Sequence, residues 1–227
     1  MPKLTQREQK VLSSVDHTLL LPEAVEQDYF SLCDDAIRYG AASVCIPPRF
    51  VKSVVNYVNG KIPVCTVIGF PNGYNATEIK VAETALAVSQ GAEEIDMVIA
   101  IGMVKDRKWD AVREEIAAVR RACEGKILKV IVETCLLSEE EKIRLCRIVG
   151  EAGADYIKTS TGFSKGGATL EDIRLFARHV CPPLRIKAAG GISSLEDAIL
   201  FLEAGAHRLG TSRVIKEMKK KEQEEDQ

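Results

Sequence analysis

Four times in this chain a Gly-Ala pair stands directly before a short apolar run: "YGAASVCI" at 39–46, "QGAEEIDM" at 90–97, "AGADYIKT" at 152–159 and "AGAHRLGT" at 204–211. Glycine accepts the left-handed conformation that ends a helix, and alanine lets the chain turn tightly into a sheet. A junction repeated in this way imposes an alternation of helix and strand. Eight strand candidates keep the rhythm: around Val15, then 43–46, 64–69, 94–100, 128–133, 155–160, 185–189 and 207–211. Most are too continuously apolar for a half-exposed antiparallel sheet, which predicts parallel strands covered by helices. The stretches between them carry helix starts, a cap followed three residues later by an acid, in "NATE" (75–78), "SEEE" (138–141), "TLED" (169–172) and "SLED" (194–197).

Eight strand–helix units in 227 residues predict an α/β chain closed into a (β/α)8 TIM barrel, a fold that needs roughly 200–250 residues. The alternative is an open doubly wound sheet, weakened because no G-x-G-x-x-G follows the first strand. Residues 1–227 are expected to form one barrel domain, with 1–12 as an N-terminal helical extension. The charged tail 217–227, "EMKKKEQEEDQ", reads either as a fraying helix end or as disordered. A formal net charge of −2, with basic residues matched by acids, gives no reason to expect nucleic acid. The longest apolar runs are of strand length, so no membrane span is expected. Seven cysteines without a C-x-x-C pair read as reduced thiols, and the polar N-terminus lacks the apolar core of a signal peptide. Both point to the cytoplasm. With three histidines and no ligand cluster, neither a metal nor another cofactor is expected.

Against this apolar background several strands carry groups that are costly to bury. Asp96 lies in "EIDMVIA", Lys158 in "DYIKTS", Lys187 in "RIKAA" and Cys45 in "SVCI". In this fold, reactive groups collect at the C-terminal ends of the strands. Lys158 and Lys187 are one strand–helix step apart, hence on neighbouring strands about 4.8 Å from each other. An ordinary lysine titrates near about 10.4, and burial beside a second cation disfavours its protonated form. An amine discharged in this way is a nucleophile suited to forming a Schiff base with a carbonyl. A strand lysine is also commonly a snorkelling surface residue or half of an ion pair. Asp96 fits either a counter-ion or the acid/base that moves protons once an imine exists.

The loops after the last strands suggest an anion. "STGFSKGGATLED" (160–172), "AAGGISSLEDA" (188–198) and "GTSRVIKEM" (210–218) set glycines and hydroxyls just ahead of helix starts. The loops after strands seven and eight are the usual phosphate site of the barrel. Gly190, Gly191, Gly210 and Ser212 are the candidates, with Gly162 and Gly167 behind them. Asp16-His17-Thr18 at the first strand reads either as support for the lysines or as a solvated turn. Cys45 reads as a small core residue rather than a nucleophile. Arg185 shares the Lys187 face and either acts on the lysines from below or reaches solvent at the barrel floor.

The blocks "VDHTLL" (15–20), "SVCIPP" (43–48), "VIGFPNG" (67–73), "EIDMVIAIG" (94–102), "LKVIVET" (128–134), "YIKTSTGF" (156–163), "KAAGGI" (187–192) and "LGTS" (209–212) together resemble the deoxyribose-phosphate aldolases over nearly the whole chain. The resemblance implies a metal-free class I aldolase that reversibly cleaves 2-deoxy-D-ribose 5-phosphate to acetaldehyde and D-glyceraldehyde 3-phosphate. It implies Lys158 as the Schiff-base lysine, Lys187 as the lysine that perturbs it, and Asp96 as the proton-transfer partner. Gly162, Gly190, Gly191, Gly210 and Ser212 would hold the phosphate, with Asp16, Thr18 and Cys45 supporting the site. Two departures stand out: Phe163 occupies a position where some members carry lysine, and there is no tail tyrosine, the last tyrosine being Tyr156. Rival readings are a Schiff-base aldolase or transaldolase for another sugar phosphate, an acid–base isomerase, and a non-catalytic phosphate-binding barrel. The expected partners are a small sugar phosphate and a second copy of the chain in a homodimer.

Overall fold

The computed structural model describes residues 4–225. Eight strands, β1 (Val15–Thr18), β2 (Ser43–Ile46), β3 (Val64–Ile68), β4 (Glu94–Val98), β5 (Ile127–Ile131), β6 (Tyr156–Lys158), β7 (Arg185–Ala189) and β8 (Arg208–Thr211), pair in parallel and in chain order, and β8 closes on β1. The helices are α1 (Gln6–Leu12), α2 (Glu26–Tyr39), α3 (Val51–Val58), α4 (Thr77–Ser89), α5 (Ile101–Lys105), α6 (Trp109–Ala122), α7 (Glu139–Glu151), α8 (Leu170–His179), α9 (Leu195–Glu203) and α10 (Arg213–Glu225). This is the (β/α)8 TIM barrel expected from the strand rhythm. The main apolar core lies between wall and helices, where Val44, Ile46, Ile95, Met97, Val130 and Ile157 meet Phe176, Ile116 and Val119. Among the described residues no helix is long and apolar enough to cross a membrane.

The Gly-Ala recurrence works as a corner piece. Gly40, Gly91, Gly153 and Gly205 all have positive φ. The alanine after each donates its N–H five residues back: Ala41 to Ala36, Ala92 to Ala87, Ala154 to Val149 and Ala206 to Phe201. That is the Schellman closure, which satisfies a carbonyl the helix end leaves free. The next residue (Ala42, Glu93, Asp155 or His207) donates to the preceding strand at Val15, Val64, Leu128 or Ile186. Each recurrence therefore delivers the chain into β2, β4, β6 or β8 in one phase.

That phase decides what points inward. Strand register stacks the interior in layers of four, as expected for this barrel. Ser43, Glu94, Tyr156 and Arg208 form the lowest layer, and Cys45, Asp96, Lys158 and Gly210 lie two residues higher on the same strands. Between them, from the odd strands, lie Asp16, Cys65, Lys129 and Lys187. Asp16 pairs with Ser43 and Gly210, Cys65 with Cys45 and Glu94, Lys129 with Asp96 and Tyr156, and Lys187 with Lys158 and Arg208. Branched aliphatic residues usually fill these layers. Here most members are polar or charged.

The helix starts followed the sequence in part. Ser138 and Glu141 form a reciprocal capping box, and Thr169 and Ser194 cap α8 and α9. Asn75 does not cap α4: the helix begins at Thr77 after Ala76, which offers no side-chain cap. The segment is held instead by Lys80, which donates to Gly73 O at 2.7 Å and Val98 O at 2.8 Å. The expected N-terminal extension contains α1, capped by Thr5 and Glu8; its residues 1–3 lie outside the described residues. The charged tail is helical through Glu225 rather than disordered. Tyr39 Oη donates to Glu222 at 2.6 Å, and Lys219 donates to Asp35 at 2.8 Å, tying α10 to α2. Residues 226–227 of that tail lie outside the described residues.

Candidate active site

Asp96 is the hub of the interior. Its Oδ2 accepts from Lys158 Nζ and from Lys187 Nζ, each at 2.7 Å, while its Oδ1 accepts from Lys129 Nζ at 2.8 Å and from Cys65 Sγ at 3.2 Å. Asp16 Oδ2 lies 2.5 Å from Lys187 Nζ, and its Oδ1 accepts from Ser43 Oγ at 2.8 Å. Arg208 spans Asp16 at 3.1 Å and Glu94 at 2.9 Å, and Lys129 lies 2.6 Å from Glu94 as an ion pair. All of these groups are buried.

Burial disfavours every charge in this cluster, and the partners outweigh it. The Asp96 carboxyl resists ionisation through burial, but Lys129, Lys158 and Lys187 hold it well below the usual carboxylate range. Asp16 is likewise held low against burial by Lys187, Lys129 and Arg208. Burial alone would discharge Lys187, yet Asp16 and Asp96 keep its ammonium well above the ordinary lysine range. Lys129 is raised in the same way against burial, chiefly by Asp96.

These directions bear on the expected pair of lysines. Lys158 and Lys187 do stand opposite each other on neighbouring strands, but they do not face each other bare: the Asp96 carboxylate bridges them. Mutual repulsion therefore does not discharge Lys187. Asp16 is no solvated turn, since it is fully buried on Lys187, and Thr18 Oγ1 donates back to the Asp16 carbonyl at 2.8 Å. Cys45 is a buried interior residue packed with Cys65 and Val67. A hydrogen bond with Cys65 lowers its thiol in spite of burial. Arg185 is exposed at the floor, 4.2 Å over the Tyr156 ring. Cys45, Cys65 and Asp96 also bring three ligand-type atoms within 4.8 Å of one another. A cation added there would have to displace the lysines that already occupy Asp96.

Above the cluster, at the C-terminal face, opens a cleft of about 760 Å³ that brings Gly162, Gly190, Gly191, Gly210 and Ser212 together with Thr18 and Phe163. The β6 and β7 loops approach so closely that a Cβ on Gly167 would lie 2.5 Å from the Gly190 carbonyl. Side chains there would force the loops apart. Gly210 joins the cleft to the cluster, because a Cβ at that position would lie 3.2 Å from Lys187 Cε. Phe163, where a cation was missed, is 49% exposed and packs edge-on against Phe70. Arg213 and Lys216, on α10, also line the cleft and supply the positive charge that an anion needs.

Sequence reasoning missed Lys129, Glu94, Arg208 and Cys65. The first three lie within stretches already read as strands, and each sits two residues from, or in register with, a residue that was singled out. Reading parallel strands with a period of two inside the barrel would have found them.

A closed barrel that buries several amines around one carboxylate, at the face where barrel enzymes work, belongs to the (β/α)8 enzymes built on reactive lysines. Comparison with known proteins narrows the class. Residues 10–213 match the DeoC/LacD family aldolase, and the chain belongs to that family. It is 54% identical over 206 residues to a deoxyribose-phosphate aldolase of Clostridium botulinum, covering 91% of this chain and 93% of the relative. Among solved structures, the aldolase QR15 is 41% identical with a TM-score of 0.89, covering 93% of this chain and 96% of that one. The deoxyribose phosphate aldolase of Aeropyrum pernix, described as a unique tetramer, is 29% identical with a TM-score of 0.86, over 95% and 99% of the two chains.

Proposed function

We propose that the protein is a class I aldolase that reversibly cleaves 2-deoxy-D-ribose 5-phosphate to acetaldehyde and D-glyceraldehyde 3-phosphate, with Lys158 as the Schiff-base amine. The observation that carries the assignment is the contrast between the two lysines on Asp96. Lys187 is enclosed, with two carboxylates on its ammonium, whereas Lys158 keeps 4% of its surface and has Asp96 alone. The enclosed amine stays protonated and serves as an acid. The other is the one to meet a carbonyl.

The Lys158 amine adds to the C1 aldehyde, and the carbinolamine loses water after taking a proton from Lys187. The protonated imine then withdraws electrons while the C3 hydroxyl gives up its proton toward the Asp96–Lys187 pair. The C2–C3 bond breaks, D-glyceraldehyde 3-phosphate leaves, and an enamine of acetaldehyde remains on Lys158. Protonation at C2 and hydrolysis release acetaldehyde and restore the amine. The phosphate rests among Gly162, Gly190, Gly191, Gly210 and Ser212, with Arg213 and Lys216 nearby. The same reading gives the enzyme a role in deoxyribonucleotide breakdown in the cytoplasm, acting as a homo-oligomer with the homodimer as the expected form.

Borohydride trapping with acetaldehyde tests the assignment. A reduced two-carbon adduct on the peptide carrying Lys158, absent from Lys158→Ala, is expected. An adduct confined to Lys187 would exchange the roles of the two lysines. A folded protein that traps nothing would remove the aldolase reading and leave the isomerase or binding-barrel alternatives.

A further inference from the structure

The interior cluster does not balance. Lys129, Lys158, Lys187 and Arg208 face Asp16, Glu94 and Asp96, so four cations meet three carboxylates. The groups around Lys158 are Asp16 from β1, Cys45 from β2, Cys65 from β3, Glu94 and Asp96 from β4, Lys129 from β5, Lys187 from β7 and Arg208 from β8. Glu133, beyond β5, accepts from Thr161 Oγ1 at 2.5 Å and takes part in none of the ion pairs of these four cations. Cys65 Sγ donates to Asp96 Oδ1 and packs against Cys45, and as thiols the two leave the balance unchanged.

A buried excess charge is expensive, and the release of one proton would relieve it. Arg208 does not give up its proton. Lys187 lies on two carboxylates, and Lys129 touches Glu94, Asp96 and, at 3.6 Å, Asp16. Lys158 has only its half-share of Asp96 Oδ2. Lys158 is therefore the cation with the least counter-charge.

We propose that Lys129 is a positioning residue of the reaction: as a permanent cation on Glu94 and Asp96 it uses up the negative charge that would otherwise keep Lys158 protonated, and so sets Lys158 as the free amine. This rests on the aldolase reading for its purpose, but not for its measurement. Neither Lys129 nor Glu94 meets the substrate in this scheme. They act from beneath, through Asp96.

The balance makes a signed pattern. Lys129→Met leaves three cations for three carboxylates, so Lys158 keeps its proton. Glu94→Gln leaves four for two, so Lys158 sheds it more readily. The double variant, lacking both members of the 2.6 Å pair, leaves three for two and restores the excess of one. The probe is formaldehyde with cyanoborohydride, followed across pH by peptide mass spectrometry, which reads the free amine at Lys158 without any sugar. In Lys129→Met, methylation of Lys158 near neutral pH should fall about tenfold, its profile moving up by about one pH unit, with acetaldehyde trapping following it. Glu94→Gln should move the profile down, and the double variant should return it toward wild type. If Lys129→Met does not fold, the test is carried by Glu94→Gln, whose profile moves down alone, and by the double variant, which brings it back; Lys129→Arg, which keeps the charge, should match wild type. Unmoved profiles in folded Lys129→Met and Glu94→Gln, or profiles that move the same way in both, would overturn the proposal. Wild-type protein that methylates normally but traps no acetaldehyde would overturn the aldolase reading instead.

Discussion

Lys80 and Lys158 are both buried lysines with a carboxylate at close range, one outside the barrel wall and one within it. Lys80, on α4, donates to Gly73 O, Val98 O and Glu115 Oε1 at 2.7, 2.8 and 2.8 Å. Its three N–H groups have three acceptors, and Glu115 in turn accepts from Ala100 N at 2.9 Å. Lys158 has one acceptor, Asp96 Oδ2, and shares it. A saturated ammonium has no spare bonding direction and fastens the loop after β3 to the end of β4. An undersupplied one can exist as an amine and still be satisfied, because a neutral amine needs fewer acceptors. The number of acceptors, rather than burial, separates the structural lysine from the reactive one.

Exchanging the two losses gives the sharpest test. Lys158→Met should lower kcat/KM by about 10⁴-fold or more, roughly 5 kcal/mol of transition-state stabilisation, because the covalent route is gone. Its thermal midpoint should hold or rise, since the side chain removed is a buried amine with a single, shared acceptor. Lys80→Met should cost about 3–5 kcal/mol of folding stability by stranding Glu115, while the fraction that remains folded still traps acetaldehyde. Urea unfolding and steady-state assays on the same preparations decide it. If Lys158→Met unfolds the protein and Lys80→Met abolishes trapping in folded protein, the comparison is wrong.

Asp96→Asn sharpens it further. The amide keeps the shape but loses the charge that both lysines share. Turnover should fall by about 10²–10⁴-fold, the usual span for a positioned proton-transfer group. Trapping of acetaldehyde on Lys158 should persist, because a weaker counter-charge frees the amine. Loss of both together would make Asp96 a scaffold for Lys158 rather than a proton carrier.

The barrel was legible because its signals are local. Gly40, Gly91, Gly153 and Gly205 end helices by a conformation that glycine accepts cheaply, and strands buried on both faces must be apolar where they meet the helices. The site was legible where a charge interrupted such a run, as with Asp96, Lys158 and Lys187. Glu94 and Arg208 escaped because they stand at strand starts, where charge ordinarily signals a solvated edge, and Lys129, at the same mid-strand position as Asp96 and Lys187, was passed over. Their burial depends on the closure of β8 on β1, which no local pattern announces. The neighbouring lysines were visible in the sequence, and Asp96 read there as either a counter-ion or an acid/base; that its carboxylate bridges both lysines follows only from the closed barrel. Asn75 shows the opposite error, a good local cap that the Lys80 clamp makes unnecessary.

The smallest effect belongs to His17, which alternates with Asp16 along β1 and is buried with Nδ1 unpartnered. Burial pushes its imidazole down to about 4, against the pull of Asp35. The folded protein thus prefers the neutral ring, and the unfolded chain takes up the proton first, near about 6.5. Stability from this group is therefore complete above about pH 6.5 and is lost as pH falls toward 4, an effect of at most about 3 kcal/mol. Asp16 and Asp96 are depressed carboxyls, and their contribution is complete above the ordinary carboxylate range and fades as pH falls through it, where the unfolded chain takes up protons first. Urea unfolding as a function of pH should accordingly show two acid legs. His17→Gln should flatten the upper leg and leave the lower one, whereas an upper leg unchanged in His17→Gln would assign it to groups outside β1 and separate the wall of the barrel from its charged interior.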